Sequence, residues 1–548
     1  MGGGEAGGRW DVVIAGGGPV GLALAAELGW RNVRCLLVER GDGSASQPKM
    51  DMVGVRTMEF CRRWDIVGEV EACPYPRDRP QDIIYLETLA APELARDPFP
   101  SMADEAVPPQ SPQKRERCPQ NMFDPILKHC AQSFASVTLR YGTEVAGFQL
   151  TEDGGVTVEL KAGAQRSHVS AAYLAACDGG ASSLRETLGI AMSGQGVLTY
   201  TVNILFRSDS FSRLGGIAPG YRYIFIENGR IWATIVAIDG RSTYRMSVVG
   251  DGEPRTLTDE EARTAVVRAA GQAFELELVD VTPWTRRELV ADAYRRGPVF
   301  LCGDACHIMS PTGGFGMNTG IADAVDLGWK LDAVLTGWGG AGLLDSYEHE
   351  RRPVALRNVA EASANLRRMT QTGPGAQDAR QAGRELASSM AAEWRTIGIH
   401  LGYRYDASPV ISPDGTPAPE DSVATYAPTA RPGSRAPHVW LGDGRSTLDL
   451  FGQGFVLLLL GRDPPDTEPM IRAAAKRLMP LTVVALDEPA VCAAYQRRCV
   501  LVRPDGHVAW RGDALPDRPG DLLDRVRGAP SALSSTASER EDLHAQRS

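Results

Sequence analysis

The chain has 548 residues, a formal net charge of −10, 43% apolar residues and 23% charged residues. That length supports two to four domains around a large buried core. The acidic balance disfavours nucleic acid and anionic membrane as partners, since both call for a basic surface. No apolar run reaches the roughly 18–20 residues that span a bilayer; "GFVLLLLG" at 454–461 is strand-sized. The ten cysteines follow no tight spacing, which predicts reduced thiols in the cytoplasm.

Residues 1–9 begin "MGGGEAGG", without the basic and apolar regions of a secretory signal, and are expected to form a flexible leader. "WDVVIAGGGPVGLALAAELGWRNVRCLLVER" (10–40) reads strand, glycine turn, helix, strand. Residues 74–120 are rich in proline and charge, which predicts long surface loops. Short strands are expected at 136–150 and 155–160, and residues 171–190 read strand, turn, short helix. Between 197 and 250 alternating segments are separated by Asn228-Gly229 and Asp239-Gly240, both hairpin signals, so an antiparallel sheet is expected. A buried strand at 297–305 precedes helices near 319–335 and 343–369, then one near 377–399 and a linker over 401–440. Residues 441–530 read strand, helix, strand, hairpin, helix, the order of a thioredoxin-like module. With no CxxC pair, a redox role is not expected of it. The polar segment 531–548 is expected to be disordered.

Gly16, Gly18 and Gly21 form G-x-G-x-x-G between strand and helix, and Glu39 ends the next strand, 23 residues after Gly16. The first glycine suits a tight turn, the second a close backbone approach to pyrophosphate, and the third close packing of helix on strand. The helix N-terminus offers free N–H groups to phosphate. Pro19 and Val20 belong to the same turn, and Arg40 follows Glu39. A carboxylate at the adenosine end favours an unphosphorylated ribose, hence FAD or NAD. A second glycine loop, "GDACHIMSPTGGFGMN" (303–318), leads into another helix. Asp304 is placed to accept from ribityl hydroxyls. Gly313, Gly314, Gly316, Met317 and Asn318 offer backbone N–H groups to the pyrophosphate or to the electron-rich end of a flavin ring, and the glycines let the backbone lie against a flat ring. This favours a flavin. Cys302, Cys306 and His307 supply too few ligands for zinc, so no metal is expected.

Three separated stretches resemble the class A FAD-dependent aromatic hydroxylases: "GGGPVGL" with "VER", "CDGGASSLR" (177–185), and "GDACHIMSPTGGFGMNTGIADAVDLGWKL". The C-terminal "RPGSRAPHVWL" and "STLDLFGQGFVLLL" resemble the phenol hydroxylase branch, with 2,4-dichlorophenol and aromatic polyketide hydroxylases. The resemblance implies an α/β fold: a Rossmann-type FAD-binding domain (10–190 and 280–400), an inserted antiparallel-sheet substrate domain (191–279), and a thioredoxin-like domain (441–530) that supports a homodimer. It implies that Arg56 and Gln120 contact the flavin's phosphate and ribityl region, that Pro311 and Gly313 to Asn318 line the isoalloxazine, and that Asp178 supports pyrophosphate and NAD(P)H. Phe315 departs from the Gln common in the family.

The chemistry implied is hydroxylation of a phenolic compound with FAD, NADPH or NADH as transient co-substrate, and O₂, through a flavin hydroperoxide. Asp51, five residues before Arg56, resembles the position in phenol hydroxylase that contacts the substrate hydroxyl. Partial burial is expected to raise its pKa and suit it to activating the phenol. On the sheet, Arg222, Tyr223 and Trp232 are substrate candidates together with Pro311. Alternation sets Tyr223 and Arg222 on opposite faces. Epoxidation or Baeyer–Villiger insertion on a polyketide, and a non-catalytic flavoprotein that binds an aromatic ligand, stay open as other readings.

Overall fold

A computed structural model of the protein describes residues 9–45, 47–250, 252–370 and 379–530. The expected leader, apart from Arg9, and the segment 531–548 lie outside them.

Trp10–Ala15 is the centre of the first sheet. It pairs in parallel with Cys35–Val38 on one side and with the end of Gln165–Ala176 on the other. Val137–Arg140 and Val299–Leu301 extend the sheet in parallel at its two flanks. Val12, Val13, Ile14, Leu36 and Leu37 are fully buried, as a parallel sheet covered on both faces requires. The helix Pro19–Trp30 packs between Phe315–Leu335 and Gln120–Gln132. A hairpin of Glu144–Leu150 and Val156–Ala162 pairs with the first half of Gln165–Ala176.

The second sheet has eight strands. Met192–Arg207 lies between Thr243–Val249 and Glu277–Ala291, and Arg222–Glu227 pairs with Arg230–Ala237. Asn228 and Gly229 both have positive φ, 49° and 73°, the conformation of a two-residue hairpin turn. The stretch 74–120 is not only surface loop. Ile83–Leu86 is buried and pairs in parallel with Arg222–Glu227, and Ala95–Asp97 continues that edge. Its proline and charge content masked a short, fully buried "IIYL" strand. The strand Glu277–Ala291 also runs across the expected boundary at 280.

The tail carries a four-stranded sheet with Phe455–Leu460 and Cys499–Val502 at its centre. A short helix, Pro489–Tyr495, adds to the expected order. The segment 401–440 is not a solvated linker, for Tyr403, Tyr405, Val410 and Ile411 are buried. Arg435 is also buried and donates to Glu59 at 3.0 Å. Tail and FAD-binding part share buried ion pairs: Arg503 reaches Glu350 at 2.5 Å and Asp326 at 3.1 Å, and Lys330 holds the same two carboxylates at 2.6 and 2.7 Å. Such groups are costly to bury singly and must be satisfied together.

Candidate active site

A cleft of about 530 Å³ separates the first sheet's glycine turn from the second sheet. One wall carries Gly17, Gly18, Glu39, Arg40, Lys49, Gln120 and Pro311. The other carries Thr201, Asn203, Arg245, Ser247, Trp284 and Arg286.

The turn between strand and helix fits a nucleotide. Gly16 has φ +109°, and a Cβ there would lie 2.3 Å from the carbonyl oxygen of Cys177. At Gly21 a Cβ would lie 2.0 Å from the carbonyl oxygen of Gly16, so the helix sits directly on the turn. At Gly18 a Cβ would meet nothing within 4 Å, because the residue opens on the cleft. Pro19 begins the helix, whose N-terminus has no side-chain cap, leaving its first N–H groups open. Glu39 accepts from the N–H groups of Gly17 and Gly41, both at 2.7 Å. Those bonds fix a carboxylate in the cleft wall with further lone pairs to offer.

The second cradle is locked to the first through Val20. A Cβ on Gly303 or on Gly320 would approach the Val20 side chain to 2.9 or 2.6 Å. Asp304 lies in a single 3₁₀ turn, Gly303–Ala305, with its side chain exposed. Gly313 and Gly314 have φ of +90° and +68°, and the helix from Phe315 again starts without a side-chain cap. Two uncapped helix starts, a glycine opening on the cleft and two acidic anchors fit FAD. Gly316 and Met317 belong to the first turn of that second helix. The Asn318 side chain has a structural task of its own. Its side chain accepts from the N–H of Gly54 at 2.8 Å and from Thr57 at 2.7 Å, and donates to Met52 and Gly314. It clamps the 52–57 segment to the cradle. Phe315 points away into a small buried cluster with Ala362 and Ile399.

Gln120 accepts from the Lys49 N–H at 3.0 Å and donates to Asp124 at 3.1 Å, on the cleft wall. Burial pushes the Asp124 carboxyl up to about 7. Asp178 accepts from the Leu184 N–H at 3.3 Å at the start of the next helix, and its other oxygen is buried without a partner among the described residues. Arg56 does not match its expected task. Its guanidinium donates to Glu59 and to the Asp505 carbonyl, both at 2.7 Å, and so ties the tail to the FAD-binding part. The Cys306, His307 and Asp323 donors lie within 4.8 Å of one another, yet Arg351 donates to Asp323 at 2.6 Å and His307 sits 2.7 Å from it. Burial drives the Cys306 thiol well up, so it stays protonated. This cluster is an ion-paired core in which Arg351 supplies the positive charge.

On the substrate side the register decides the faces. Arg222 and Ile224 share the face toward the cleft and the helix Ala379–Trp394; Arg222 pairs with Glu393 at 3.0 Å. Tyr223 and Trp232 belong to the opposite face, contrary to expectation. Tyr223 packs on Phe211 in a separate core, and Trp232 packs at that core's edge under the Arg268 guanidinium. Asp51 is mostly buried. It pairs with Arg117 at 2.8 Å and accepts from the Tyr221 hydroxyl, while the Arg117 guanidinium lies 3.6 Å from the Tyr221 ring centre. Burial pushes the Asp51 carboxyl up, but Arg117, Arg245 and the Tyr221 bond outweigh it and hold it below the ordinary range. The expected upward shift is therefore reversed. Lys49, Arg117, Tyr221, Arg245, Trp284 and Arg286 escaped the sequence reading. The alternation of Thr282, Trp284 and Arg286 along one strand was the available signal.

With this geometry in hand, two family matches divide the chain. Residues 9–362 match the FAD binding domain, and residues 429–530 match the C-terminal domain of aromatic-ring hydroxylases. The chain belongs to the FAD-dependent aromatic-ring hydroxylases. It is 34% identical to a putative polyketide hydroxylase of Streptomyces halstedii, over 92% of this chain and 93% of that one. It is 35% identical to a 4-methyl-5-nitrocatechol 5-monooxygenase of a Burkholderia species, over 94% and 96% of the two chains. The solved structure of the rebeccamycin biosynthetic enzyme RebC with reduced flavin superposes with a TM-score of 0.87 at 38% identity, covering 96% of this chain and 100% of that one. The protein is an FAD-dependent monooxygenase acting on aromatic compounds. Among the described residues no helix is long and apolar enough to cross a membrane.

Proposed function

We propose that the protein hydroxylates a phenolic substrate with O₂ and NADPH or NADH. The observation that carries this reading is the cleft, which joins the FAD cradles to a wall of Trp284, the half-buried Arg245 and the buried Arg286. FAD, when bound, supplies the activation of oxygen. Gly18, Glu39, Lys49, Gln120 and Asp304 would hold the cofactor, and the N-terminus of Phe315–Leu335 would face its negative charge. Asp51 keeps the Tyr221 proton at its Oδ2 side as a fixed acceptor and is not a titrating base. The phenol is activated by field: Arg117, Arg222, Arg245 and Arg286 favour the phenolate over the phenol. Trp284 offers a flat face to the ring.

The finer points of setting belong to the same reading. Ten free cysteines support the cytoplasm. A homodimer belongs to the same proposal. The test is ¹⁸O₂ incorporation into a phenol panel by the FAD-loaded protein with each coenzyme. A protein that consumes coenzyme and never labels a phenol would sink the proposal.

A further inference from the structure

Four guanidinium groups gather beside the sheet wall of the cleft, and two carboxylates answer them. Asp51 pairs with Arg117 at 2.8 Å and Glu393 with Arg222 at 3.0 Å. Arg245 donates to the backbone carbonyl of Pro48, which carries no charge. Arg286 is only 5% exposed, and its Nε and Nη1 are buried without a hydrogen-bond partner among the described residues. Arg245 and Arg286 both line the cleft.

Burial first, then Arg222 and Arg245, draw the Arg286 guanidinium down to about 10 against the pull of Glu393, a carboxylate already paired with Arg222, so Arg286 is still charged at neutral pH. A buried cation with orphaned donors is stable only opposite an anion. Arg286 stands on Glu277–Ala291 and Arg245 on Thr243–Val249, the two strands that flank Met192–Arg207. Between them the wall presents Thr201, Asn203, Ser247 and Trp284, polar groups around one aromatic face.

We propose that the cleft takes an aromatic substrate bearing a carboxylate, and that Arg286, seconded by Arg245, binds that carboxylate. The inference rests on the cleft being the aromatic-substrate site. A carboxylate suits the place better than a second phenolate. It brings two acceptor oxygens to a fork of donors, and it is already ionised at neutral pH.

The test uses the FAD-loaded full chain and two probes, 3-hydroxy-2-naphthoate and its methyl ester, each titrated by the change in flavin absorbance. Both keep the phenol and the rings; only one keeps the charge. The acid should bind about 10-fold or more tighter than the ester, the range of a charged hydrogen bond. Arg286→Gln should bring the two within about twofold while FAD content holds, the acid losing more affinity than the ester, and Arg286→Lys should keep part of the preference. Should Arg286→Gln lose FAD through misfolding, Arg245→Gln, which must also cut the acid preference, decides instead. Equal binding of acid and ester by the parent protein overturns the inference. So does an Arg286→Gln protein whose flavin potential moves while its acid preference stays. Labelled phenol without acid preference removes this inference and leaves the proposed function. Acid preference in a protein that labels no phenol does the reverse.

Discussion

Asp51→Asn separates the two accounts of this carboxylate. The Asp51–Arg117 pair spans 2.8 Å, with side chains 14% and 5% exposed. At an effective dielectric of about 20, that attraction is roughly 6 kcal/mol before desolvation is subtracted. Removing one partner of a buried pair leaves the other uncompensated, at a cost of about 3–5 kcal/mol. The amide keeps the shape but loses the charge, so about 3 kcal/mol of lost stability is expected near pH 7. The sign with pH follows from the lowered Asp51 pKa. A depressed carboxylate gives its full stabilisation above the unfolded value, about 3.9 for Asp, and loses it as pH falls through the folded value. The gap between parent and variant should therefore be flat from pH 5 to 8 and shrink below pH 4, as followed by denaturant unfolding. Hydroxylation should slow roughly 10- to 100-fold, as for one charged hydrogen bond, with an unchanged pH profile over pH 5–8. If the parent shows an acid limb with a midpoint between 6 and 8 that Asp51→Asn abolishes, Asp51 titrates as a base and the electrostatic argument fails.

Other expectations follow from the packing. Gly18→Trp should empty the protein of FAD, since the side chain enters the cleft, whereas Asp304→Ala should weaken FAD roughly 10- to 100-fold; flavin absorbance after gel filtration checks both. Gly320→Ala places a Cβ 2.6 Å from Val20 Cγ2 and 3.1 Å from the Gly303 Cα. FAD affinity should fall and should recover in the double variant Val20→Ala/Gly320→Ala, a coupling that a double-mutant cycle reads directly. Lys330→Met leaves Asp326 and Glu350 short of a cation and should cost about 3–5 kcal/mol, read by denaturant unfolding with FAD content followed in parallel.

Much of the fold is legible in the sequence because its signals are local. The first strand, turn, helix and second strand follow from glycine spacing and unbroken apolar runs, and both φ values at Asn228-Gly229 agree with the hairpin signal. The cradle helix is also legible, though it begins at Phe315 and not near Thr319, since glycines at its start lower the apparent helical pattern without preventing the first turn. What escaped depends on partners far along the chain. "IIYL" needs Arg222–Glu227 beside it to be a strand, and Arg56 needs the tail 449 residues on to claim its guanidinium.

The substrate wall shows the same division more sharply. Alternation separates Arg222 from Tyr223 but carries no information about which face meets the cleft. That is decided by α-helical cover on each side. The helix Asp259–Ala270 buries Ala262, Val266, Ala269 and Ala270 in the core with Tyr223, while Ala379–Trp394 brings Glu393 to Arg222. An aromatic side chain invites assignment to an aromatic ligand, yet Tyr223 packs edge-on against Phe211 in a separate core and has no charge to settle. A buried arginine is the stronger signal, because each must find an anion. Arg117 and Arg222 find theirs within the protein, and Arg286 does not among the described residues. The face we propose for the substrate is thus marked by an arginine whose donors the described residues leave without a hydrogen-bond partner, a property of strands in register that no single stretch of sequence displays.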